Sequence, residues 1–79
     1  MELSGKVVVV TGGASGIGTG LCRRFREEGV RALVIADLNG EAVAALADEL
    51  DAVGVTLDVR DEAAIAAMVS EVEAQFGQI

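Results

Sequence analysis

The chain alternates short continuous apolar runs with longer stretches in which apolar residues recur every three or four positions. From Lys6 it runs VVVVT into paired glycines, the pattern of a strand buried on both faces, and this predicts a first strand over residues 6–11. Ile17, Leu21 and Phe25 then recur at a spacing of four, and Gly29 follows the charged run as a helix-ending residue. That predicts a helix from Ile17 to about Glu28. RALVIAD repeats the strand signal and ends at Asp37. Asn39 can cap the next helix, whose Val43, Leu46, Ala47 and Leu50 fall at i, i+3, i+4 and i+7. AVGVTLD gives a third strand ending at Asp58. Ile65, Met68, Val69, Val72 and Phe76 mark the apolar face of a third helix, with Asp61 and Glu62 in its first turn and Gly77 after its last.

Strand and helix thus alternate three times, which implies parallel strands joined by right-handed crossovers. The fold class is α/β, a βαβαβα half of a doubly wound parallel sheet with helices on both faces. Residues 1–79 hold one domain or part of one, because 79 residues with 52% hydrophobic and 24% charged positions suit a single folded unit. Such a chain buries only roughly 60% of its unfolded surface. A single cysteine, Cys22, excludes an internal disulfide, and with no His the usual zinc constellations are missing, so no metal site is expected. The net charge of −7 argues against a nucleic-acid groove, and the group Arg23, Arg24 and Arg26 is too small to reverse that. The Arg23 to Glu28 run is expected to be a solvated helix face. No apolar run approaches the roughly 20 residues of a membrane span, and the opening MELSGK lacks the charged-then-apolar layout of a secretory signal. The expectation is a soluble, cytoplasmic protein.

The most informative segment is TGGASGIG, residues 11–18, placed where a strand ends and a helix begins. In that context Gly12 permits a tight turn, Gly16 lets the backbone approach a pyrophosphate, and Gly18 allows close helix packing. The helix then aims its unpaired N–H groups at the phosphates. Asp37 ends the next strand, 19 residues after Gly18, the spacing that dinucleotide binding requires. A carboxylate there accepts hydrogen bonds from both adenosine-ribose hydroxyls, although it can also simply shape the turn through Leu38 and Asn39. It repels a 2′-phosphate by roughly 4 kcal/mol at about 4 Å and an effective dielectric near 20, so NAD is expected over NADP by a factor on the order of 100. No Arg lies in the glycine turn or directly after Asp37.

The glycine spacing resembles the fingerprint of the short-chain dehydrogenase/reductase family, of Rossmann type, and the resemblance covers essentially the whole chain. IADLN resembles the family's NAD-selecting strand end, LDVRD its adenine-binding segment, and FGQI the stretch leading into a fourth strand. The resemblance implies that Ser15 and Ile17 contact ribose and pyrophosphate, Asp37 and Leu38 the ribose, and Asp58 the adenine amino group with the Val59 backbone beside it. Ser15 can equally be a turn residue, Asp58 can cap the third helix, and Thr11 reads as a turn brace. The family's catalytic Tyr-x-x-x-Lys pair, Ser and Asn have no counterpart: there is no Tyr, and Lys6, Asn39, Ser4 and Ser70 match none of these positions. No catalytic residue is assigned.

The resemblance therefore implies the N-terminal, NAD(H)-binding part of a longer oxidoreductase, a homo-oligomer (tetramer or dimer) that moves hydride between NAD(H) and a secondary alcohol or ketone. Two alternatives stand beside it: a non-catalytic dinucleotide-binding module, and an adenosine-cofactor domain of the methyltransferase type. The 79 residues alone would leave an apolar parallel edge unpaired, and such an edge invites aggregation. Expressed alone they are expected to be poorly soluble or partly unfolded; a sharp two-state melt of a monomeric product would contradict this.

Overall fold

The computed structural model describes residues 4–79, so the first three residues of the MELSGK opening lie outside the described residues. The element order is β1 (Val7–Thr11), α1 (Gly16–Glu27), β2 (Ala32–Asp37), α2 (Gly40–Leu50), β3 (Val53–Thr56) and α3 (Glu62–Phe76). The three strands form one parallel sheet in the order β1-β2-β3. Val7 pairs with Ala32 and Thr11 with Ala36, while Val34 pairs with Val53 and Asp37 with Thr56. The three C-terminal strand ends therefore lie side by side.

Alternation along the strands divides the core into two layers, because successive side chains point to opposite faces. On one face Val7, Ala32, Val34, Ala36 and Leu57 pack with Met68 and Val72 of α3. On the other, Val10, Leu33 and Ile35 pack with Cys22 of α1 and with Leu46 and Ala47 of α2. This is a three-layer α/β/α arrangement of Rossmann type. β2 lies in its middle, with Ala32 to Ala36 all buried, which explains why its sequence is a continuous apolar run.

The apolar spacing of α2 and α3 marks their buried faces, but in α1 it does not. Ile17 and Leu21 are 84% and 46% exposed, whereas Gly18 and Cys22 are the buried positions. The helix lies so close to the glycine turn that its inner face holds only small side chains. The bulky residues accordingly point outward, apart from Phe25, which is partly buried. α1 also begins one residue before the expected Ile17 and ends at Glu27, with Ser15 as its extended N-cap. β3 stops at Thr56 rather than at Asp58. The ladder ends because β2 itself ends at Asp37, and the last link is the Leu57 N–H donating to the Asp37 carbonyl at 3.0 Å.

The charged run of α1 is only partly a solvated face. Arg23 pairs with Glu49 and Arg24 with Glu28 at exposed positions. Arg26 differs: its Nε donates to the Leu50 carbonyl at 2.9 Å and its Nη2 to the Asp51 carbonyl at 3.1 Å. It thereby satisfies carbonyls at the C-terminus of α2, where Asp51 holds a left-handed conformation at φ 53°, which is uncommon for a residue other than Gly. Arg26→Ala is expected to destabilise the fold by about 1.5–3 kcal/mol, the scale of hydrogen bonds to a charged donor. Arg24→Ala should cost under about 1 kcal/mol. Urea denaturation of the two variants checks the difference, and equal losses would contradict the capping role.

Candidate functional site

The glycine turn follows directly from the end of β1. Gly12 has a φ of +68°, which an L side chain rarely adopts, and its N–H donates to the Ala36 carbonyl at 2.8 Å. A Cβ on Gly18 would run into the Gly12 carbonyl oxygen and lie 2.8 Å from Gly13 Cα, so the first turn of α1 rests directly on the turn backbone. Gly16 is different in kind, since a Cβ there meets no heavy atom within 4 Å. Internal packing places no demand for glycine at that position. The space beside its backbone is open.

Two turn residues went unread in the sequence. A Cβ on Gly13 would lie 2.6 Å from Ile35 Cγ2 and 3.2 Å from Cys22 Sγ, so Gly13 lets the turn seat on β2. Its carbonyl accepts the Thr19 hydroxyl at 3.1 Å. Thr19 is therefore the hydroxyl brace of the turn, where the sequence had suggested Thr11. The signal was available in Thr19 standing one turn into the helix, but nothing local distinguished it from a solvent-facing residue. Cys22 is fully buried beneath this turn, and burial pushes its thiol pKa up, away from reactivity.

Asp37 ties the turn to the end of β2. Its Oδ2 accepts the Ala14 N–H at 3.1 Å and its Oδ1 accepts the Asn39 N–H at 3.2 Å. The backbone N–H groups of Asn39, Ala14 and Leu38 hold its pKa below the ordinary aspartate range against a smaller opposing effect of burial. The turn-shaping role is thus present in the structure. Because a carboxylate offers about four lone-pair sites, these two bonds leave acceptor capacity for hydroxyl groups of a ligand. Ser15 spends its hydroxyl proton on the Gly12 carbonyl at 2.8 Å, so it acts as a turn residue while keeping its lone pairs.

Asp58 does not cap α3. That role falls to Asp61, whose carboxylate accepts the Ala64 N–H at 3.1 Å. Asp58 is gripped instead by Arg60, whose Nη2 lies 2.8 Å from Oδ2 and whose Nε lies 3.0 Å from Oδ1, with the Arg60 N–H also donating to Oδ1 at 2.9 Å. The Arg60 guanidinium, and then its N–H, lowers the Asp58 pKa. The carboxylate in turn raises that of Arg60.

At the strand ends a cleft of about 450 Å³ is lined by Thr11, Gly12, Asp37, Leu38, Leu57, Asp58, Val59 and Arg60. Five of the nine residues singled out in the sequence, Gly12, Asp37, Leu38, Asp58 and Val59, meet there. Ser15, Gly16, Ile17 and Gly18 lie outside its lining, at the N-terminus of α1. The first hydrogen bond of that helix is the Thr19 N–H to the Ser15 carbonyl at 2.7 Å. The N–H groups of Gly16, Ile17 and Gly18 therefore precede the helical ladder and are disposed to receive an anion. A donor rim beside an acid-lined, partly apolar cleft suits a molecule with a polyanionic link and a hydroxylated, flat-ringed end. Among the described residues, no helix is long and apolar enough to cross a membrane.

Comparison with known proteins identifies the family. Residues 6–79 match the model described as short chain dehydrogenase, and the chain belongs to that family. It is 44% identical over 77 residues to a 2-dehydro-3-deoxy-L-rhamnonate dehydrogenase (NAD(+)) of Sphingomonas, covering 96% of this chain and 30% of that protein. It is 45% identical over 84 residues to 3beta-hydroxysteroid dehydrogenase 2 of Eggerthella lenta, covering 98% of this chain and 31% of that protein. A short chain dehydrogenase/reductase from Burkholderia phymatum, solved in complex with NAD, superposes with a TM-score of 0.93 at 32% identity, over 100% of this chain and 30% of that one. The chain thus spans about a third of the length of the relatives it matches. These matches do not favour a methyltransferase-type domain or a module without chemistry.

Gly18→Ala is expected to destabilise the fold by more than about 2 kcal/mol, because the added methyl meets backbone rather than a movable side chain. Gly16→Ala should leave stability within about 0.5 kcal/mol or raise it slightly. Thermal melts of both variants check the contrast, and equal effects would contradict the distinction between packing and approach.

Proposed function

We propose that this chain is the NAD(H)-binding part of a longer short-chain dehydrogenase that transfers hydride between NAD(H) and a secondary alcohol or ketone. The observation that carries the proposal is the superposition over the whole chain on a family member holding NAD, supported by the relative whose name specifies NAD(+). In this reading the N–H groups at the start of α1 receive the pyrophosphate above Gly16, where a Cβ would intrude. Ser15 and Ile17 flank that contact. Asp37 accepts the adenosine-ribose hydroxyls with the acceptor sites left free by Ala14 and Asn39. Leu38 and Val59, 62% and 51% exposed, present apolar walls to the base, whose amino group donates to Asp58. When bound, the nicotinamide supplies the hydride acceptor or donor, and no residue of this chain is assigned to the reacting atoms.

Preference for NAD over NADP is part of the proposal. A phosphate on the ribose 2′-oxygen would sit against the Asp37 carboxylate, which is ionised at neutral pH as an ordinary aspartate is and whose backbone donors lower its pKa further. A cytoplasmic, homo-oligomeric parent, dimer or tetramer, belongs to the same proposal and rests on the family resemblance alone.

NADH fluorescence titration of the full-length protein tests the reading. Asp37→Ala should weaken NADH binding and reduce the NADH-to-NADPH affinity ratio by about tenfold or more; an unchanged ratio would remove the ribose role. Gly16→Val should abolish binding with little loss of thermal stability, and retained affinity would place the pyrophosphate elsewhere.

A further inference from the structure

We infer that Asp58 sequesters Arg60, the cation of the cleft, and so acts beside Asp37 as a second determinant of preference for the cofactor without a 2′-phosphate. The inference rests on the cofactor reading above and deepens it.

Among the residues lining the cleft, Asp37 and Asp58 are acidic and Arg60 is basic. A guanidinium at the rim of an adenosine site is the group best suited to grasp a phosphate, because its fork of N–H donors matches the oxygen geometry. Here one edge of that fork, Nε with Nη2, is already engaged. Nε contacts both carboxylate oxygens of Asp58, at 3.0 and 3.2 Å, and Nη2 contacts Oδ2 at 2.8 Å. Among the described residues nothing else fixes the guanidinium: the Arg60 side chain is 85% exposed, against 34% for Asp58. The pair is also local, since the residues are two apart and the Arg60 N–H bonds the same carboxylate. Asp58 therefore does two things at once. It adds a negative charge to the side of the cleft facing the adenosine, and it neutralises the guanidinium and occupies its Nε–Nη2 edge, which would otherwise compensate a second phosphate. Removing the carboxylate while leaving the arginine turns a neutral pair into a long cationic arm at the mouth of the cleft.

The test measures NADH and NADPH affinities on the full-length protein with Asp37 intact. The adenine contact is common to both cofactors, so their ratio isolates the phosphate effect from general weakening. Asp58→Asn is expected to lower the NADH-to-NADPH affinity ratio by about tenfold, the scale of one charge-assisted hydrogen bond. Asp58→Asn combined with Arg60→Met should return the ratio to near the wild-type value. Arg60→Lys, which keeps the charge but loses the fork, should move the ratio in the same direction as Asp58→Asn by a smaller step. A ratio unchanged in both Asp58→Asn and Arg60→Lys would overturn the inference. A shift that persists in the double variant would also overturn it, assigning the effect to the Asp58 charge alone. Wild-type protein that binds neither cofactor would overturn the cofactor reading itself, an outcome distinct from either of these.

Discussion

The candidate site depends on one close approach, that of the first turn of α1 to the backbone that leaves β1. Gly18 sits against the Gly12 carbonyl with no space for a Cβ, and Gly12 adopts the positive φ that turns the chain beneath it. A side chain at Gly12 would strain the turn that carries the helix, and one at Gly18 would push the helix away from the strand ends. Its N-terminal N–H groups would then no longer stand beside the cleft. The same constraint explains the composition of the inner face of α1, where Gly18 and Cys22 are buried while Ile17 and Leu21 face outward.

Asp37 extends this constraint from one βα unit to the next. Its carboxylate receives Ala14 from the glycine turn and Asn39 from the start of α2, so a single side chain aligns the turns that follow β1 and β2. An ionised acid held in this way is structural and available to a ligand at the same time. A protein of net charge −7 can therefore offer an anion-receiving rim without a basic patch, because the donors are local backbone groups; in the proposed function the nearby carboxylates then discriminate among anions. Arg60 fits the same logic, since its charge is matched within two residues by Asp58.

The fold was largely legible because each element carried a signal of its own. The β-branched run before the glycines became β1, the buried run ending at Asp37 became β2, and Asn39 became the cap of α2, accepting the Ala42 N–H at 3.2 Å. Gly12 and Gly18 have the geometric roles read for them, conformation and packing, and Gly16 faces open space. What was not legible depended on partners distant in sequence or on rotamer choice. Gly13 is small because of Ile35, and Arg26 reaches carbonyls at Leu50 and Asp51. Neither relation leaves a local pattern. No arginine directly follows Asp37, yet Arg60 reaches the same cleft from the loop after β3. The end of β3 was read two residues too long because Leu57 and Asp58 continue an apolar-then-acidic rhythm after the ladder partner has run out.

The most direct test of the account is a crystal structure of the full-length protein with NADH. The account predicts that both adenosine-ribose hydroxyls lie within hydrogen-bonding distance of Asp37, with the Ala14 N–H still donating to it, and that the pyrophosphate lies over Gly16 at the N-terminus of α1. A ribose turned away from Asp37, or a pyrophosphate held elsewhere on the sheet, would contradict it.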